Sequence, residues 1–368
     1  MQNMDAISTI LFLGATQGII LSVVILTIRR DHQLANRILA SILIVFSISI
    51  VLHTLSHINS ELNLPHHEGI ISILFYLIGP LIYFYVQALT IPDFVITKKD
   101  YLHLIPFIVC LIIYFPFYLL PSMSGTQHTI GEIIAAGVVT QTLAYTILAI
   151  IALRKHKRTI KESFSSLEKI NLNWLRFLVI GYLITWTIAI VLEGFHGKIE
   201  SWDYSWIVVS AFMYAIGYMG LRQPEIFSGA HFEEFKNDAT TKKKYEKSTL
   251  TPEMAEVYLT KLQNYMSQKK PYLDNNLTLP KLANQLAIST HHLSQIINES
   301  FRQNFFEFIN CHRVEEVKQM IRKPENQNIN LASLGLDAGF NSISAFNAAF
   351  KKHSGMTPSE FKDHKQIL

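Results

Sequence analysis

Seven stretches of near-continuous apolar residues, close to 6–28, 38–58, 69–91, 102–120, 131–153, 174–195 and 204–221, constrain this chain more than any other feature. Most approach the ~20 residues a helix needs to cross a hydrocarbon core. Inside such a core no water pairs with the backbone, so each stretch must satisfy its own N–H and C=O groups, and a helix does so. The charge balance agrees: 16% of residues are charged and 49% hydrophobic, where soluble domains carry roughly 25% charged residues. The fold class expected is therefore all-α, with a seven-transmembrane helical bundle over residues 1–223.

Basic residues in short loops tend to stay on the cytoplasmic side. Arg29, Arg30 and Arg37 follow the first stretch, Lys98 and Lys99 the third, and Arg154, Lys155, Lys157, Arg158, Lys161 and Lys169 the fifth. The opposite side holds only Lys198. This asymmetry predicts a multi-pass protein of the cell inner membrane, with its N-terminus outside and everything after Arg222 in the cytoplasm. The first stretch has neither a basic leading segment nor a small-residue cleavage site, so a removable signal peptide is not expected. Trp202, Tyr204, Trp206, Tyr83, Tyr85 and Tyr118 stand near stretch ends, as interfacial anchors do. Pro80, Pro106 and Pro116 are expected to kink the third and fourth helices by removing backbone donors.

The last third of the chain has helical periodicity of another kind. From Leu331, residues Leu334 and Ala338 share one face before Gly339 breaks the helix. Ser342 can cap a second helix, in which Phe346, Ala349 and Phe350 repeat the buried stripe while Ser344, Asn347, Ala348 and Lys351 face outward. Thr357-Pro-Ser-Glu360 reads as a capping box with proline at the first helical position. This is a helix-turn-helix over 331–353, and a second copy lies upstream at 278–301. There Leu279, Leu282, Ala283 and Leu286 make the supporting helix, and Ile288 and Leu293 bracket Ser289 as a hydrophobic staple. The following helix buries Leu293, Ile296 and Ile297 and presents His291, Gln295 and Asn298, flanked by His292 and Ser294. A helix over Phe305 to Ile321 joins the copies.

Two helix-turn-helix units on one joining helix, the second ending in GFNSISAFNAAFKKHSGMTPSEF, resemble the AraC/XylS transcription regulators. The resemblance implies sequence-specific binding of double-stranded DNA, with the two outward helices in successive major-groove segments. Carried over position by position, His291, Ser294 and Gln295 would read bases from the first unit and Ser344 and Asn347 from the second; His292, Asn298 and Lys351, on or beside the same outward faces, are further DNA-facing candidates. Gly335 stands where the family usually has alanine. Ile343, Ala345 and Ala348 occupy places often polar in relatives, which thins the direct readout expected of the second unit. The membrane half, with Gly79-Pro80 before LIYFYVQALT and LHLIPF opening the fourth stretch, is similar to the membrane-embedded AraC-type regulators of Bacteroidetes-like bacteria.

The segment 224–250 is polar, with Lys242-Lys243-Lys244, and reads as a cytoplasmic linker or a contact for anionic lipid or DNA. The domain from 251 to 368 opens with Thr251-Pro252 and a stripe of Met254, Val257, Tyr258, Leu262, Tyr265 and Met266. That stripe belongs to the first helix of the DNA-binding domain or to a homodimer contact. From Leu250 onward, 13 Lys/Arg stand against 11 Asp/Glu, so any DNA affinity must come from locally grouped charge. Lys281, Arg302, Arg313, Lys351, Lys352 and Lys362 are the candidates for phosphate contact.

No glycine loop for nucleotides, GxSxG elbow or HExxH occurs, and Cys110 and Cys311 form no CxxC pair. An enzyme and a bound cofactor are therefore not expected. His53 and His57, one helical turn apart, could share an outer sensor pocket with Glu193 and His196, since imidazole with carboxylate suits zinc, copper or a titrating proton. Interfacial histidines with no ligand are the plainer reading. The function expected is a membrane-bound one-component transcription regulator whose bundle senses a signal outside or within the bilayer. The alternative is a metal-dependent membrane hydrolase or transporter-like protein with a regulatory C-terminal domain.

Overall fold

The computed structural model describes residues 6–27, 33–58, 67–119, 124–167, 172–194, 201–221, 250–326 and 329–366. Among them the chain is helical, as its class requires. Seven helices are long and apolar enough to cross a membrane. They are α1 (Ala6–Thr27), α2 (Gln33–Ile58), α3 (His67–Thr90), α4 (Ile105–Leu119) with a 3-10 turn before it, α5 (Ser124–Ser163), α6 (Asn173–Gly194) and α7 (Ser201–Leu221). The chain divides into two compact units, one of Met1–Lys155 with Leu172–Glu225 and one of His156–Asn171 with Ile226–Leu368.

In the first unit α2 packs against α1, α3 and α7. Leu39, Ile42, Leu43 and Ile50 of α2 are fully buried there. The hydroxyls of Ser47 and Thr54 donate to the carbonyls of Leu43 and Ile50 one turn back, which satisfies them within α2. Between α3 and α5, Tyr76 donates to the Ile134 carbonyl and Gln141 donates to the Tyr76 carbonyl, each at 3.0 Å. Ile108, Leu111, Ile112 and Phe115 of α4 are exposed, as a lipid-facing band would be.

Three expectations change here. Tyr85 and Trp206 are buried in the bundle rather than placed at its surface, where the Tyr85 ring meets Trp174 edge-on and the Trp206 ring stacks on His53. Pro106 is the second residue of α4, a first-turn position where the missing N–H breaks nothing, whereas Pro80 and Pro116 do lie inside helices. The basic run after Leu153 is not loop: α5 continues through it to Ser163.

The second unit holds α8 (Pro252–Lys269), α9 (Leu279–Gln285), α10 (Thr290–Phe301), α11 (Phe305–Arg322), α12 (Leu331–Asp337), α13 (Ile343–Ser354) and α14 (Pro358–Gln366). Two hydrophobic cores form at the two ends of α11. Phe305, Phe308 and Ile309 join the core of α8, α9 and α10, while Val314, Val317 and Ile321 join that of α12 and α13. Leu262 and Met266 bury α8 in the first core, which makes it the first helix of this domain. Lys270 at its end donates to both carboxylate oxygens of Glu316 on α11, and the Tyr272 hydroxyl donates to the same group. The linker 224–250 lies outside the described residues, apart from Leu250.

Candidate nucleic-acid interface

Side-chain caps fix where each reading helix begins. Ser289 accepts from the His292 N–H at 3.1 Å to open α10, and Ser342 accepts from the Ala345 N–H at 3.1 Å to open α13. Ile288 and Leu293, the two staple positions, are both buried in the first core. The box before α14 is formed as well, with the Thr357 N–H donating to Glu360 and the Glu360 N–H to the Thr357 hydroxyl. Each turn needs a left-handed residue. In the second unit this is Gly339, φ 94°, where an added Cβ would lie 2.6 Å from the Tyr272 carbonyl oxygen. In the first it is Ala287, φ 50°.

Caps and cores together leave two outward faces. On α10, His291 and Asn298 are exposed and Ser294 and Gln295 half-buried. The amides there are held locally: Gln295 donates to Glu299 at 2.9 Å, and Asn298 donates to the Ser294 carbonyl at 2.9 Å. On α13, Ser344, Asn347, Ala348 and Lys351 are all exposed. Ile343, at the start of α13, is exposed too at 51%. An exposed apolar side chain is of the kind that can touch a thymine methyl in a major groove.

Two assignments are corrected. His292 is buried and stacks on Tyr258 of α8, so its ring is spent on packing and not presented to bases. Arg313 is 1% exposed. Its Nε donates to the Tyr272 carbonyl at 2.7 Å and its Nη2 to the Asp274 carbonyl at 2.9 Å, with the Phe340 ring centroid 5.7 Å away. Burial lowers this guanidinium to about 10. A phosphate cannot reach it in this arrangement.

The remaining cations divide. Lys351 and Arg302 are exposed, Lys362 is half-buried, and Lys281 donates to the Asn276 carbonyl at 3.0 Å. Lys352 pairs with Glu307 of α11, where Lys161 and His353 also converge. Burial alone would raise the Glu307 carboxyl, but the hydrogen bond and charge of Lys352, aided by Lys161 and His353, hold it below its ordinary value.

The sensor residues are placed only in part. His53 of α2 stacks on Trp206 of α7, ring centroids 4.8 Å apart. His57 and Glu193 fall within α2 and α6, and His196 lies outside the described residues. Among the described residues no group of three or more His, Cys, Asp or Glu is placed to hold a metal ion.

Residues 282–364 match the model of a family described as a helix-turn-helix domain, which is of the AraC type. The match supports a DNA-binding transcription regulator. No curated protein matches the chain. Among solved structures, a protein of unknown function from Listeria innocua is similar at 24% identity and a TM-score of 0.24, over 28% of this chain and 94% of that one.

Proposed function

We propose that this chain is a membrane-held, one-component transcription regulator of the AraC type. Its double helix-turn-helix reads double-stranded DNA, and its seven apolar helices sense a signal from outside the cytoplasm or within the bilayer. The observation that carries this reading is the match over 282–364 on the same chain as seven helices long enough to span hydrocarbon. The basic residues of the loops orient the N-terminus outward and the reading helices inward. In this proposal His291, Ser294, Gln295, Asn298, Ser344 and Asn347 face base edges, while Lys351, Arg302 and Lys281 face phosphates.

Two measurements test it together. A periplasm-active reporter fused after Phe195 should be active and one after Lys247 silent, and chromatin immunoprecipitation should recover discrete chromosomal sites. The reverse reporter pattern, or no enriched sites, would overturn the proposal. The outer pocket of His53, His57, Glu193 and His196 belongs to it as a metal or proton sensor. Normal signalling by a His53→Ala/His57→Ala variant at every pH and metal level would remove that pocket from it.

A further inference from the structure

Residues Lys161–Ser166, the end of α5 and the three residues after it, pack within the second unit against both helix-turn-helix copies. Phe164 forms a one-residue antiparallel bridge with Thr278, the cap of α9. The Ser165 N–H donates to the Leu277 carbonyl at 3.3 Å, and its hydroxyl donates to the same oxygen at 2.6 Å. The buried Arg313 closes the contact from α11: Nη1 donates to the Ser165 carbonyl at 3.1 Å and Nη2 to the Ser165 hydroxyl at 3.2 Å. One residue on, Asn341 donates from Nδ2 to the Ser166 hydroxyl at 2.6 Å. Asn341 directly precedes Ser342, the cap of the second reading helix. At the other end, Lys161 lies 3.7 Å from Glu307 and over the Phe306 ring.

We infer that Lys161–Ser166 is an internal effector of the DNA-binding unit, which when docked holds the two reading helices at the angle that DNA requires. The two copies have separate cores at either end of α11, so their relative angle rests on that one helix and on the polar contacts around Arg313 and not on a shared core. The segment hydrogen-bonds to the start of the first copy and to the turn of the second, with Arg313 between them. Undocked, the two reading helices lose that bracing, and binding must then supply the cost of ordering them. The segment is covalently joined to two apolar helices, so a signal that favours the undocked state weakens DNA binding without acting through 224–250. This inference rests on the DNA-binding reading above.

The test uses the full-length chain in detergent and a duplex selected by the wild type from a random-sequence pool. Hydrogen exchange should show the Ser165 amide protected in the wild type and open in Phe164→Asp, which puts a charge where the buried Phe164 ring packs and keeps the Ser165 N–H. That variant should bind the selected duplex about tenfold or more weakly, the scale of one lost charge-assisted hydrogen bond. Ser166→Ala, which removes only the Asn341 partner and leaves both cores intact, should show a smaller loss in the same direction. Wild-type affinity in both variants, with the Ser165 amide open in the first, overturns the inference and leaves the function standing. Failure of the wild type to retain any duplex takes down both.

Discussion

Gly335 of α12 faces the ring of Phe346 on α13 so closely that an added Cβ would stand 2.6 Å from Cγ and 2.7 Å from Cδ1. The phenyl ring occupies the space that an alanine methyl at this position would need. Phe346 is 1% exposed and cannot swing aside. Gly335→Ala should therefore destabilise the second core by ~1–3 kcal/mol, as overpacking does. Hydrogen exchange should show α12 and α13 opening more readily while α9 and α10 do not change. Phe346→Leu in the same chain should recover part of the loss.

The reading helices end unlike each other. Gly355 ends α13 at φ 80°, whereas Arg302 ends α10 at φ 54°, a left-handed residue with a Cβ. Such a residue costs ~1–2 kcal/mol. Arg302→Gly should stabilise the first copy by up to ~1 kcal/mol in denaturant unfolding while weakening DNA binding and flattening its salt dependence. If stability falls instead, the strain argument fails.

Base readout and phosphate contact separate by selectivity. Gln295→Ala and Asn347→Ala should each cost ~1–3 kcal/mol on the preferred duplex and relax its sequence, while Lys351→Ala should weaken all duplexes alike. Because Gln295 donates to Glu299 in the free protein, Glu299→Ala should release the amide and tighten binding. Competition binding against single-base variants reads all four, and unchanged selectivity in both amide variants would refute the assignment.

Acid should loosen the joining helix. His312 stacks on Tyr272 and meets Phe308 edge-on, and burial pulls its imidazole below the ordinary value, with Glu315 opposing. A depressed folded-state value means that the unfolded chain binds the proton more readily. The stability it contributes is therefore complete above the ordinary imidazole range of about 6.5 and is lost as pH falls below it. Exchange protection of α11 amides, corrected for intrinsic rate, should drop between about pH 7.5 and pH 5.5. His312→Phe should flatten the part of that drop due to His312; an unchanged drop would assign it to other groups, His353 first.

Periodicity made much of this fold legible from the residues alone. Apolar length gave the seven long helices, and Ser289, Ser342 and Thr357 announced helix starts because their side chains are built to take a free backbone N–H. What stayed hidden had no local signal. The basic run 154–161 looks like the end of a span, yet lysine and arginine are good helix formers, so α5 runs on. Ser163 to Ser166 has no period and gave no hint of docking. Arg313 reads as a surface cation until its acceptors are seen, since they come from residues 39 to 148 positions away in the chain. His292 borders the buried stripe by helical angle, and only Tyr258 decides on which side it falls.

Seven apolar helices and a DNA reader on one chain also change who does the searching. A freely diffusing regulator scans the chromosome by sliding and hopping. Held in a bilayer, this reader could sample only the loci that thermal motion of the nucleoid brings to the membrane. Its response time would then depend on where its target genes lie as well as on how tightly it binds them.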